Sequence, residues 1–402
     1  MPKMTRAARY NESLHYYERA AKIAGRSLTR SKAPGRLYDI AQGPLYALRG
    51  YGCHIIDVDN QEYIDMVCAL GAIALGYGAV VEAAQHEIDD GQLYSLPSFM
   101  EPIAAEVVLE HVAPWASDVR FVKTGSEATA AALLIAQRAT SRKAYWRLRG
   151  SYHGWHGIWQ DDAEHARWFD VGELPEMVGD EAAIVFEPPR WESYDPLWLD
   201  ALAGVAHGAG ALLIVDEMIY GGRWVLGGAT EYFGVRPDLA CFGKAFGNGA
   251  PIAFVVGREA LAEHGEMISG TFSGDAAALA ALIAVVKMYE TEPVIETLWA
   301  RGCKLRRGLM EACAFYSSET GQFVVREGQP VHQRLSFVWD GEKNIAGYRN
   351  VETGRRFAAL MAKHGILWHP DCINICYAHS EADIERVVDA AIASMSELIR
   401  AR

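Results

Sequence analysis

No pair of cysteines in this 402-residue chain is spaced as CxxC, and its seven cysteines are scattered and odd in number. Neither a disulfide framework nor a zinc site of ordinary Cys/His spacing is indicated, so the thiols read as reduced, small apolar packing residues. No run approaches the roughly 18 uninterrupted apolar residues of a membrane span. Residues 1–30 are polar and arginine-rich and lack the apolar centre of a signal peptide. Positive charge is in deficit: 38 Lys and Arg against 51 Asp and Glu leave a formal net charge of −13. Such a chain has no general attraction for nucleic-acid phosphates or anionic membranes. The one basic cluster, Arg138, Arg142, Lys143, Arg147 and Arg149, reads as a solvated helix end and loop. Repeats and low-complexity tracts are missing too. What remains is a soluble, cytoplasmic globular protein whose 50% hydrophobic content suffices for a large core.

Within that composition, helical and strand-like segments alternate from about residue 75 to 270. DVRFVKT (118–124) is a short strand and SEATAAALLIAQRAT (126–140) an alanine-rich helix. AAIVFE (182–187) is a strand, and PLWLDALAGVAHGAG (196–210) a helix ended by glycine. ALLIVDE (211–217), LACFG (239–243) and PIAFVVG (251–257) are further strands, apolar throughout. Continuous apolar strands between helices imply a mostly parallel sheet covered on both faces. Before this region, residues 10–25 have helical spacing, and residues 46–63 suggest a hairpin turning at DVDN (57–60). The last hundred residues alternate again and end in a helix near residues 381–399. The expected organisation is an N-terminal segment (1–70) joining a smaller α+β domain, a large α/β domain (71–285), and the C-terminal remainder (286–402).

Ligands of such a sheet gather beyond the carboxyl ends of its strands, and four features fall there. TGSEAT (124–129) joins a strand to a helix; Gly125 permits a close turn, and the Ser126 and Glu127 amides open a helix that favours an anion. Taken alone, the same residues read first as a plain helix cap with Glu in the first turn. Asp216 ends the run LLIV, where a carboxylate is rarely idle because a buried unpaired charge is costly. It is either a structural partner or the group that pairs with a protonated pyridine nitrogen; Glu217 points to the other face, toward a structural ion pair. Lys244, flanked by glycines in FGKAFGNGAPIAF, is either a solvated charge or an amine able to condense with an aldehyde. In SYHGWHG (151–157), Tyr152 can stack on a flat heterocycle, with His153 and His156 on the same loop. Two histidines without a matching carboxylate do not make a metal site. Anion site, aromatic lid, strand-end Asp and glycine-flanked Lys follow one another in the order of a pyridoxal 5′-phosphate (PLP) site.

With these residues in view, the chain resembles the class III aminotransferases of PLP fold type I, and among them the glutamate-1-semialdehyde 2,1-aminomutase-like proteins. The resemblance spans nearly the whole chain, through GYGCHIIDVDNQEYIDMV, VRFVKTGSEAT, YHG, LLIVDE, GGATEYFGVRPDLACFGKAFGNGAPIAFVVGR, SGTFSGDAAALAA and GILWHPDCINICYAHSEADIERVV. It implies a large domain with a mostly parallel, seven-stranded sheet. It implies that Lys244 forms the Schiff base with PLP, that Asp216 partners the pyridine nitrogen, and that Tyr152 stacks on the ring with His153 nearby. Met218 would pack near the opposite ring face; Gly125, Ser126 and Glu127 would bind the phosphate. Thr271 of SGTFSG would reach the phosphate of a neighbouring subunit in a homodimer with shared active sites. Arg36, Glu187 and Asn374 take the positions of substrate contacts.

The implied activity is transamination between a small-molecule amine donor and a carbonyl acceptor. Aminomutase, racemase or epimerase, and decarboxylase chemistry are the alternatives on the same scaffold, and a non-catalytic binding protein is the alternative of another class. Departures from the family pattern lie around the substrate. Asp275 stands where asparagine is usual, RWESYDPLW (190–198) replaces a glycine-rich segment, and Asn374 replaces a glutamate. A glycine-rich region around residues 159–171 is shortened.

Overall fold

A computed structural model describes residues 9–37, 39–40, 42–189, 195–317, 321–325, 329, 331–333, 335–339, 351–369 and 372–400. Two compact units emerge. The larger comprises Gly71–Leu75 and Ala79–Glu296, the smaller Met1–Leu70, Gly76–Gly78 and Thr297–Arg402. Among the described residues no helix is long and apolar enough to cross a membrane.

The larger unit is organised on seven strands. In chain order these are β1 (Asp118–Val122), β2 (Ala144–Leu148), β3 (Ala166–Phe169), β4 (Glu181–Phe186), β5 (Leu212–Asp216), β6 (Leu239–Phe242) and β7 (Ala253–Gly257). Their spatial order is β1-β7-β6-β5-β4-β2-β3. Neighbours from β6 through β3 pair in parallel, whereas β7 is antiparallel to both β6 and β1. A strand reversed between two neighbours leaves those neighbours running the same way. The carboxyl ends of all these strands except β7 therefore share one edge of the sheet.

Four helices matter for that edge: α1 (Gly125–Thr140), α2 (Pro196–Gly208), α3 (Gly228–Phe233) and α4 (Ala276–Thr291). The strands are apolar on both faces because both are covered. Ala183, Val185 and Ile214 pack with Ala128, Ala132 and Leu133 of α1. Ile184, Phe186, Leu213 and Val215 pack with Trp198, Leu199 and Leu202 of α2. Phe242, Phe254 and Val256 pack with Leu279 and Leu282 of α4. Each such fully buried aliphatic or aromatic side chain stabilises the unit by roughly 1.5–3 kcal/mol. Alanines on α1 let it lie close to the sheet, which brings its first turn to the strand ends. The reversal of β7 is invisible to hydropathy, since an apolar strand reads the same in either direction.

In the smaller unit the expected hairpin is a three-stranded meander, Ala47–Tyr51, His54–Asp57 and Glu62–Asp65. Its second turn is the predicted one, held by Asp57 Oδ1 accepting from the Asp59 and Gln61 amides at 3.0 and 2.7 Å. The extra turn uses Gly52 at φ 50°. Ile366–Leu367 adds in parallel beside Glu62–Asp65, so chain segments from both ends share one sheet. Helices Val351–Lys363 and Glu381–Arg400 bury Ala358, Met361, Val387 and Met395. The Sγ atoms of Cys68 and Cys376 and an imidazole nitrogen of His379 come within 4.8 Å of one another. His379 Nδ1 accepts from the Cys376 amide at 2.9 Å.

Candidate active site

Four of the six aligned strand ends carry one of the sequence-selected features, and their side chains line a single cavity of about 270 Å³ within the larger unit. Its walls include Gly125 and Ser126 after β1, Tyr152 and His153 after β2, Asp216 and Met218 at β5, and Lys244 after β6. Ala72, Lys123, Thr129, Gly154 and residues 249–252 before β7 complete the lining.

Lys244 begins a single turn of 3-10 helix, Lys244–Phe246, with φ 46°. A non-glycine residue in the left-handed region is strained by about 1–2 kcal/mol, a conformation that persists where packing over-determines it. Here Ala245 and Phe246 are anchored in the core, and the lysine is left half-buried at the cavity wall. Asn248 secures the next turn: its Oδ1 accepts from the Ala74 and Leu75 amides at 3.0 and 2.9 Å. An asparagine inside a glycine-rich stretch reads as loop in sequence, so this anchor was not visible there.

Asp216 is 2% exposed. Its Oδ1 accepts from the Met218 amide at 3.0 Å, and its Oδ2 lies 2.8 Å from His153 Nδ1. The other imidazole nitrogen is 2.8 Å from Ser151 Oγ, and the Ser151 hydroxyl donates to the Leu148 carbonyl at 2.6 Å. The buried carboxylate is thus oriented through a chain of partners, as the cost of leaving it unpaired demands. Ser151 is a member that spacing did not single out.

Glu217, one residue on, turns to the opposite face as strand alternation requires. Among the described residues it makes no ion pair; its carboxylate accepts from the amides of Ala229 and Thr230 at 2.9 and 2.6 Å and from the Thr230 hydroxyl. It therefore caps the start of α3, which corrects the expected structural ion pair: free helix N–H groups supply the partner. Burial pushes its carboxyl up to about 7, and the three hydrogen bonds oppose that shift.

At the start of α1, the helix-cap reading of TGSEAT holds at Thr124 and Glu127. Thr124 and Glu127 form a reciprocal capping box. The Glu127 amide donates to Thr124 Oγ1 at 3.2 Å, and the Glu127 carboxylate accepts from the Lys123 and Thr124 amides. Glu127 itself is exposed and absent from the cavity wall. The Gly125 and Ser126 amides have no acceptor among the described residues and open the helix at the cavity. A Cβ on Gly125 would sit 2.8 Å from Met218 Sδ, and one on Gly243 2.9 Å from the same sulfur. Both glycines make room for Met218 to reach the cavity.

The other selected residues are placed as follows. Glu187, after β4, accepts from the Tyr152 amide at 3.1 Å and so fastens the aromatic loop. Thr271 is exposed in the segment before α4. Arg36 is exposed in the smaller unit. Asn374 is fully buried there, its Nδ2 donating to the Val67 carbonyl at 3.0 Å. Residues 190–194 of the RWESYDPLW segment lie outside the described residues; Asp195 caps α2 by accepting from the Leu197 amide.

A lysine at a strand end, a strand-end carboxylate, an aromatic loop and a helix start with open amides on a seven-stranded, mostly parallel sheet are the features of a PLP enzyme of fold type I. The family model for class-III aminotransferases matches residues 39–158 and 161–326. The chain belongs to that family and is a PLP-dependent transaminase. It is 30% identical to a glutamate-1-semialdehyde 2,1-aminomutase of Desulforamulus reducens, over 96% of this chain and 98% of that one. To the enzyme of that name from Archaeoglobus fulgidus it is 31% identical, over 88% and 93%. Among solved structures, the PLP internal aldimine form of the FumI protein of Sphingopyxis sp. MTA144 superposes with a TM-score of 0.86 at 26% identity, covering 97% of both chains. A β-phenylalanine aminotransferase of Variovorax paradoxus shares the fold at a TM-score of 0.82 and 22% identity, over 97% and 94%.

The cavity suits this cofactor on its own terms. An aldehyde-reactive amine, a buried carboxylate and two open helix amides meet in one space, as a molecule bearing an aldehyde, a basic ring nitrogen and a phosphate requires.

Proposed function

We propose that Lys244, Asp216 and Tyr152 carry the transamination, with Gly125, Ser126, His153 and Met218 holding the cofactor beside them. The observation that supports this reading is the convergence of an amine, a carboxylate and a helix start, from three separate strand ends, on one cavity. The bound cofactor supplies an electron sink for the charge left when a substrate loses its α-proton. Lys244 Nζ would take that proton from the substrate carbon and hold it at the cavity wall for return. Asp216, fixed by His153 and the Met218 amide, holds negative charge against the pyridine nitrogen. Tyr152 covers the ring, and Glu187 keeps its loop in place. An amine or amino-acid donor gives up its nitrogen in one half-reaction, and a carbonyl acceptor receives it in the other.

The enzyme acts as a homodimer in the cytoplasm. Leu96 (78% exposed) and Phe99 (64%) form an apolar surface with Leu93 and Tyr94, and Phe272 beside Thr271 is also exposed. A second copy covering these residues would bring Thr271 toward the phosphate site of its neighbour. All described cysteines are free, as in a reducing compartment.

Borohydride treatment of the PLP-loaded enzyme followed by peptide mapping tests the assignment: the cofactor mass falls on the Lys244 peptide, and Lys244→Ala abolishes both label and turnover. A label on another lysine overturns it. The relatives from Desulforamulus reducens and Archaeoglobus fulgidus favour intramolecular amino migration as a second reading. Isomerisation of a single amino substrate without any acceptor would establish that reading; product formation that depends on two substrates establishes transfer.

A further inference from the structure

The cavity contains a second lysine that the reaction does not use. Lys123 is the residue after β1, immediately before the Thr124–Glu127 capping box, and its side chain is 15% exposed. Its ammonium is 3.1 Å from Asp275 Oδ2. Asp275 is the cap of α4, with Oδ1 accepting from the Ala278 amide at 3.2 Å. Lys123 therefore lies between the amino ends of α1 and α4.

That is an unusual place for a cation, because both helix ends present positive potential. Opposing it are Asp275, whose other oxygen is committed to α4, and the Glu127 carboxylate, which is committed to the Lys123 and Thr124 amides. Burial lowers the Lys123 ammonium from its ordinary value, and its attraction to Asp275 and Glu127 does not recover the loss. The space beside it is the cavity, whose wall Gly125 and Ser126 line with their open amides.

We propose that Lys123 is a phosphate-binding residue, supplying a direct cationic contact to the cofactor phosphate while Asp275 positions its ammonium between the two helix starts. This rests on the cofactor site proposed above and deepens it. It also ties Asp275, which departs from the family's asparagine, to Lys123. In the cofactor-free enzyme Asp275 holds the ammonium at the wall. With phosphate present, the ammonium is shared between carboxylate and phosphate.

The test compares PLP with pyridoxal, which lacks the phosphate, in binding to the apo-enzyme followed by fluorescence quenching. Lys123→Gln is expected to weaken PLP about ten- to a hundredfold, the loss of one charge-assisted hydrogen bond, with pyridoxal binding unchanged. Lys123→Arg keeps the charge and stays within about threefold of the wild type. Asp275→Asn retains the cap and removes the competing charge, so the preference for PLP over pyridoxal rises. Equal losses of both ligands in Lys123→Gln, or wild-type PLP affinity in it, overturn the proposal. So does a fall in preference in Asp275→Asn. Failure of the wild-type apo-enzyme to bind PLP would instead refute the cofactor site itself, so the two failures are distinguishable.

Discussion

Gly154 lies two residues after Tyr152 at φ 113°, facing the first turn of α1. A Cβ there would stand 2.4 Å from Ser126 Oγ, 2.7 Å from Ser126 Cβ and 2.8 Å from Ser126 Cα. The first of these can rotate away; the other two belong to the helix itself. Gly154→Ala must therefore push the aromatic loop off the helix by about 1 Å to restore ordinary contact distances. It also places a side chain in a left-handed conformation, a strain of about 1–2 kcal/mol. Gly150→Ala provides the control. Gly150 has φ 82° in the same loop, but a Cβ there meets nothing within 4 Å. Both variants are expected to lose about 1–2 kcal/mol of stability through backbone strain, read by thermal unfolding. Only Gly154→Ala separates Tyr152 and His153 from Ser126, and a displacement of this size is expected to lower kcat/KM about a hundredfold. PLP affinity falls with it. Equal kinetics and equal PLP affinity in the two variants would refute the reasoning, because the clash would then have no effect beyond strain.

Two further outcomes follow from the geometry. Glu217 holds its proton more tightly in the folded chain (about 7) than in the unfolded one (4.5). The folded state therefore carries extra bound proton between those values, and the stability it contributes is full below about pH 4.5 and lost as pH rises toward 7, by roughly 3 kcal/mol in all. The unfolding midpoint of the wild type relative to Glu217→Gln should drop between pH 5 and 8; a pH-independent difference would sink this account. Tyr152→Ala is expected to weaken the cofactor about tenfold by removing the stacked ring, while Tyr152→Phe stays near wild type; a loss in the Phe variant as large as in Ala would show that the hydroxyl, and not the ring face, carries the contact.

Local sequence determined the elements themselves. The apolar runs of β4, β5 and β6, the alanine-rich α1 and the caps Thr124, Asp195 and Asp275 express short-range rules of hydropathy and helix ends, and those rules act within a few residues. The same locality explains why Gly125, Asp216 and Lys244 stood out: each ends or follows a strand in a way that strands alone do not require. Resemblance to a family supplied their order and the cofactor. Tertiary structure decided what depends on distant residues. It reversed β7 between β6 and β1, and because β7 is antiparallel to both, the β1 end stays at the same edge as the other strand ends. It divided TGSEAT between a cap at Thr124 and Glu127 and open amides at Gly125 and Ser126. It gave Glu217 to the start of α3, tied Asp216 to His153 and Ser151, and brought Asp275 across 152 residues to Lys123. None of these pairings has a sequence period, because each is set by which strand ends the sheet brings together, and that is a property of the closed sheet alone.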